Sequence, residues 1–458
     1  MSRLPDPVRR PAWFLAALAL LLAAGSALAA PLSLEQCLEL AYANSPRLES
    51  ARQQIVSQRE GVLGSYGAFM PTFSASAGYG HQFVGPKPAS TQYNTITQEF
   101  FVLDPIASRD YETYSFRLSG NWTLFSGLSR WADLAAQKAG YAAAEHDFAQ
   151  THHEVEGDVI NAYYQLVRAQ KMVALRQGNL EANREQYDQS RRAFAMGAVA
   201  RSDTLRASVR YAEARQALLE AENNQQLSSL TLATAIGLEP ARDLVVETVA
   251  DPAIISVERD RAIDAALASH PQLLAAGERL TAARQGVRQA RAGFWPSVSA
   301  GYSFGWSDLR SPDNLGQMFE QDYTYSLSMG LNWSIFDGFR TRRATNQARA
   351  GARVQEYNLE LQRRGVIQSV ESTLVTLDNS RKRIELARAT VALAEEDLRL
   401  ARERYRVGAA TLLEVTEAEV SLVEAQSSEI DGVTSYLIAL AELERVTGLD
   451  LRGQGGGR

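Results

Sequence analysis

The sequence predicts an α+β membrane protein: four barrel-type β-strands per chain interrupt long coiled-coil helices, and the whole order is written twice. Three observations predict it. The phrase "NWTLFSGLSRWAD" at 121–133 returns as "NWSIFDGFRTRRA" at 332–344. Four segments alternate apolar and small polar residues over the length of a membrane strand. Each half also carries a proline-free, heptad-patterned stretch far longer than an ordinary globular helix.

The chain has 458 residues, one cysteine and a formal net charge of −6. Arg3, Arg9 and Arg10 precede an apolar run from Trp13 to Ala24, and Ala27-Leu28-Ala29 supplies a small-x-small cleavage site. Residues 1–29 therefore read as a signal peptide, since the apolar run falls short of the about 20 residues a membrane-spanning helix needs. The protein is exported. Cys37 has no partner for an internal disulfide and lies too far past the cleavage site to be a lipidated first residue. Leu34, Leu38 and Ala41 around it mark the buried face of a short helix. The acidic balance gives no basic patch for nucleic acid.

Residues 41–80 align without gaps on 266–305 with thirteen of forty positions identical, including Pro46/Pro271, Gly61/Gly286, Phe69/Phe294 and Pro71/Pro296. From Tyr114/Tyr325 to Gly237/Gly448 the offset is 211 instead of 225, so the first half holds fourteen extra residues between 80 and 114. Such insertions collect at loop tips. The expected organisation is a first repeat over 30–238, a linker over 239–256 broken by Pro240 and Pro252, and a second repeat over 257–450. A disordered, Gly-rich tail is expected over 451–458.

Each repeat begins with a helix that leads into a β-hairpin, 72–125 in the first and 297–336 in the second. In the first, Phe73, Ala75, Ala77 and Tyr79, then Tyr114, Phe116, Leu118 and Trp122, alternate with Ser, Thr, Gly and Asn and with Arg117. Val298, Ala300, Tyr302, Phe304 and Trp306, then Tyr323 through every second residue to Ile335, repeat the pattern. This is a strand with one face in lipid and one on a polar lumen. Soluble sandwich strands also alternate, but they run about 5–6 residues and come in larger numbers. Four strands cannot close a barrel, and an open edge cannot exist in hydrocarbon. The chain must complete its barrel with copies of itself: two would give eight strands, three would give twelve and room for a pore.

Very long helices follow, over 128–195 and 338–405; at about 1.5 Å per residue each approaches 100 Å. Val155, Val159, Ala162, Leu166, Ala169 and Val173 form a heptad stripe, matched by Val366, Val370, Thr373, Leu377, Ser380 and Ile384. A turn and a further helix, 202–236 or 412–447, end each repeat, with Gly237 and Gly448 as left-handed closing residues.

Signal peptide, duplicated order, "NWTLFSG"/"NWSIFDG" at the joint, and "FAMGAVARSD"/"YRVGAATLLEV" at the helical turn together resemble the TolC-like outer-membrane efflux family, over essentially all of 31–450. The resemblance implies a homotrimer: a twelve-stranded barrel in outer-membrane lipid, continuous with a helical tunnel in the periplasm. It implies a passive duct that works with a periplasmic adaptor and an inner-membrane transporter, of the proton-driven RND or the ATP-driven ABC type, and needs no cofactor. Adaptor contact is implied at Met196-Gly197-Ala198 and Val407-Gly408-Ala409, although a tight helix–helix turn alone also calls for a glycine. A constricted mouth is implied at Asp203, Glu414 and Glu417. Thr411-x-x-Glu414 also reads as a capping box and Asp203 suits a first helical turn, whereas Glu417 lies too deep to cap. Tyr405 matches a latch tyrosine, but the basic partner expected two residues past the turn glycine is Ala410 here.

Other readings fare worse. His146 and His153 share a helix face, yet "HHEVE" breaks the His-Glu-x-x-His zinc pattern, and no nucleophile stands out for an enzyme. An adhesin stalk carries its barrel at one chain end, whereas here the hairpins interrupt the helices twice. Small-molecule efflux and type I protein secretion use the same duct, so the cargo stays open.

Overall fold

The computed structural model describes residues 31–96, 98–240, 243–247, 254–255, 257–309, 316–449 and 451; the signal peptide expected at 1–29 lies outside them. In chain order the elements are α1 (Leu34–Asn44), α2 (Pro46–Gly67), β1 (Thr72–Val84), β2 (Ser90–Asn94), β3 (Glu99–Leu103), β4 (Arg109–Ser126), α3 (Ser129–Ala195) and α4 (Arg201–Ala235). They continue with α5 (Arg259–Ser269), α6 (Pro271–Arg291), β5 (Ser297–Asp308), β6 (Tyr323–Asn332), α7 (Arg340–Arg406) and α8 (Leu412–Thr447). Among the described residues no helix is long and apolar enough to cross a membrane. Two compact units result: Val56–Ala142 with Gly277–Tyr357, and Met1–Ile55 with Ala143–Ala276 and Asn358–Arg458.

The first unit holds a four-stranded antiparallel sheet in the order β1-β4-β5-β6. Its register puts Ala77 opposite Phe116, Phe116 opposite Trp306, and Tyr302 opposite Leu327. The period-2 alternation thus becomes one continuous apolar face across all four strands. On the other face Ser74 pairs with Ser119 through their hydroxyls at 2.8 Å, and Ser303 with Ser326 at 2.8 Å. On the edge strands the apolar face is uncovered, with Leu327 82% exposed and Met329 74%, whereas Phe304 and Trp306 of β5 are buried and Phe304 stacks on Phe319.

Three strand features differ from the sequence expectation. β4 begins at Arg109, ahead of Tyr114 where the alternating pattern starts, because β1 continues to Val84 and offers it a partner there. β6 ends at Asn332, short of Ile335, because β5 starts at Ser297, opposite Asn332, and supplies no backbone beyond it. The extra residues of the first hairpin form a second hairpin, β2–β3, in which Tyr93 opposes Phe100.

The second unit is helical. Val155, Val159, Ala162 and Leu166 of α3 are buried with Leu232 of α4, Ile236 just past its end, and Tyr436, Leu440 and Leu443 of α8. Val366 and Val370 of α7 pack on Ala262 and Ala266 of α5. The heptad stripes are core because a 3/4 spacing keeps one face of an α-helix toward its neighbour. Cys37 is fully buried in α1, and burial, with the Glu35 charge adding, pushes its thiol up to about 11. Two segments expected to be loose are partly core. In the linker, Leu244 and Val246 are buried, and the Leu244 N–H donates to Ser229 Oγ. Leu451 is buried and its N–H donates to Glu444 Oε1, so the expected disordered tail does not include it; 452–458 lie outside the described residues.

Candidate functional site

The repeated phrase builds the strand-to-helix joint. Gly127 and Leu128 take successive positive φ values of 61° and 68°, and Gly338 and Phe339 take 64° and 65°. Two left-handed residues in a row turn an extended chain sharply into a helix, and the glycine removes half the steric cost. The Trp122 indole N–H donates to Phe69 O at 2.9 Å and the Trp333 indole N–H to Phe294 O at 3.2 Å, so each tryptophan ties its strand to the residues preceding the sister strand of its hairpin. Arg130 donates to Ala68 O and Thr123 O in the first copy. In the second, Asp337 accepts from the Thr341 N–H at 2.8 Å, and these bonds, chiefly that from the Thr341 hydroxyl, hold its carboxyl below the usual range.

The helical turns follow a common rule. Gly197 has φ 75° and Gly408 has φ 76°. Ala198 N–H donates to Ala193 O and Gly197 N–H to Phe194 O; Ala409 N–H donates to Arg404 O and Gly408 N–H to Tyr405 O. These paired bonds satisfy the last helix carbonyls of α3 and α7. Met196 and Val407, the residues before the glycines, stand 78% and 72% exposed. The turns therefore present a large apolar side chain beside bare backbone, and a Cβ on either glycine would meet no atom within 4 Å.

The acids past the turns have distinct settings. Glu414 completes a capping box with Thr411 and lies 3.5 Å from Arg404, and the Thr411 N–H is the main reason its carboxyl is held low. Asp203 occupies the corresponding place in α4, but Ala200 at the cap offers no side-chain bond. Glu417 is exposed and off the packed face. Tyr405 is half-buried against Leu398, Ala401, Val415 and Ala418, where it continues the α7 heptad stripe. Sequence reasoning missed two participants. Arg402 Nη2 lies 2.8 Å from Glu419, whose side chain is largely covered. Arg206, which the 211 offset matches to Glu417, lines with Leu412 and Glu419 a cleft of about 430 Å³ between α4 and α8. The offset between the halves is the sequence signal that pairs Arg206 with Glu417.

A sheet with a lipid-type face, joined through tight turns to long packed helices with exposed turns between them, defines an outer-membrane channel subunit. The family described as "Outer membrane efflux protein" matches 37–238 and 262–449, and the chain belongs to it. Among relatives, the alkaline protease secretion protein AprF of Pseudomonas aeruginosa is 26% identical over 90% of this chain and 83% of its own length. Outer membrane protein TolC of Vibrio cholerae is 24% identical over 88% of each. Among solved structures, the outer membrane protein VceC from Vibrio cholerae shares the fold with a TM-score of 0.74 at 20% identity, covering 91% of this chain and 96% of that one. The family is one of TolC-like channels in the outer membrane with a helical tunnel in the periplasm, not of enzymes, and that is where this protein resides.

Proposed function

We propose that three copies of this chain form a passive duct across the outer membrane and periplasm. The observation that carries the reading is the open sheet: β1 and β6 are both edge strands, and their apolar face is uncovered. Unpaired edges are untenable in hydrocarbon. Because neighbours in the sheet are antiparallel, β1 and β6 run in opposite senses, so β6 of one copy can pair antiparallel with β1 of the next. Such head-to-tail contacts close into rings. Three copies give twelve strands, wide enough for a pore.

In this reading 1–29 is removed on export, 30–238 and 257–450 act as equivalent repeats, and the turns Met196-Gly197-Ala198 and Val407-Gly408-Ala409 dock a periplasmic adaptor that couples the duct to an inner-membrane transporter. Glu417, with Asp203 and Glu414 beside it, forms the charged rim of the mouth, and Tyr405 packs beneath. Proteins named for alkaline protease secretion and for pyoverdine export are both relatives. The former spans most of the chain and favours a second reading, a duct dedicated to type I protein secretion. Mass measurement in mild detergent and planar-bilayer recording test the proposal: a conducting trimer is expected, and a stable monomeric barrel or a non-conducting trimer would overturn it. A knockout that blocks secretion of a protein while leaving drug susceptibility unchanged would decide for the second reading.

A further inference from the structure

Away from the end of β1 and β4 that carries Gln82, Val84, Arg109 and Tyr111, the face of the sheet opposite the apolar one is made almost entirely of serine, glycine, threonine and asparagine. One residue in the middle of β4 breaks this. Arg117 is exposed, and its register partners are Ser76 on β1 and Gly305 on β5. Along β4 its same-face neighbours are Ser115 and Ser119. The diagonal positions on β1 and β5 are likewise serine or glycine, so no flanking position carries a carboxylate. Arg117 is therefore the one long, charged side chain in a patch of very short ones.

Resting on the trimeric reading above, we infer that Arg117 forms a ring of three positive charges inside the barrel, which makes the barrel segment favour anionic solutes. Twelve strands spaced by about 4.8 Å and tilted by about 40° give a backbone radius on the order of 12 Å. An extended arginine bridges roughly half of that, which brings each guanidinium within the Debye length of the axis, about 10 Å at 0.1 M salt. Short neighbours leave the side chain free to extend. Rings of Arg or Lys are a known means of selecting anions in pores. The chemical class selected is any solute or chain segment with net negative charge.

The test is the reversal potential of single trimers under a KCl gradient centred near 0.1 M, for the native chain, Arg117→Lys, Arg117→Gln and Arg117→Glu, each first shown to be trimeric. Arg117→Lys should keep the native value. Arg117→Gln should raise the cation-to-anion permeability ratio by about twofold and Arg117→Glu by more, both differences collapsing near 1 M salt, where the Debye length is about 3 Å. Trimeric, conducting Arg117→Gln with an unchanged reversal potential would overturn the ring while leaving the duct intact. Failure of the native chain to form conducting trimers would overturn the duct and the ring together.

Discussion

Gly127 and Gly408 share a left-handed backbone but not a setting, and the difference decides what an added methyl does. A Cβ on Gly127 would lie 2.5 Å from Ala292 O and 2.9 Å from Trp295 Cβ, backbone and stem atoms that cannot swing aside. Gly127→Ala should cost several kcal/mol, combining overpacking with the left-handed penalty, and should lower trimer yield. Gly408→Ala meets open space and should cost only about 1 kcal/mol. Gly408→Trp should leave trimer and insertion intact yet abolish adaptor coupling; normal efflux by that variant would remove the turn from the docking surface. The glycines were legible because the phrases containing them recur. Tyr405 was less so: the resemblance pointed to a latch, whereas its neighbours Leu398 and Ala401 show that it also extends the heptad stripe.

The two turn helices differ at their starts. α8 has a full capping box, whereas α4 begins at Ala200 with an extended backbone and no side-chain bond. Thr411→Ala should destabilise α8 by about 1 kcal/mol, and Ala200→Ser should stabilise α4 by about half as much, both read as amide exchange in the first helical turn. The capping carboxylate adds a pH dependence. Glu414's carboxyl is held below its ordinary value when folded, so its contribution is present above the unfolded pKa, about 4.3, and is lost as pH falls through the lower folded value. Amide protection at Glu414 should decline with acid accordingly, and Glu414→Gln should flatten that decline. Helix and barrel-strand periods were readable because each repeats over many residues. The β2–β3 hairpin was not, since "FFVL" at 100–103 is a continuous apolar run without alternation.

For the assembly, the decisive contact is between the edges of neighbouring sheets. Cysteine pairs placed one on β1 and one on β6, scanned over several registers, should form disulfides between copies and give dimers and trimers on a denaturing gel. Cross-linking confined to single chains would show that β6 closes on its own β1 and that the barrel is monomeric. Cys37 is fully buried and should not compete.

Sequence alone determined what depends on periodicity and repetition: the four strands of the main sheet, heptad-packed helices, glycine turns and the family. These are local or self-similar properties, and a pattern carried by many residues survives the loss of any one. Tertiary structure decided what depends on partners distant in the chain. Strand ends follow where the neighbouring strand runs out, as at Asn332 opposite Ser297. Leu244, Val246 and Leu451 become core because helices far away in sequence leave a space for them. Arg117 gained its meaning in the same way: parity put it on the polar face, but only the pairing of β4 with β1 and β5 surrounded it with Ser76 and Gly305 and left its charge unanswered.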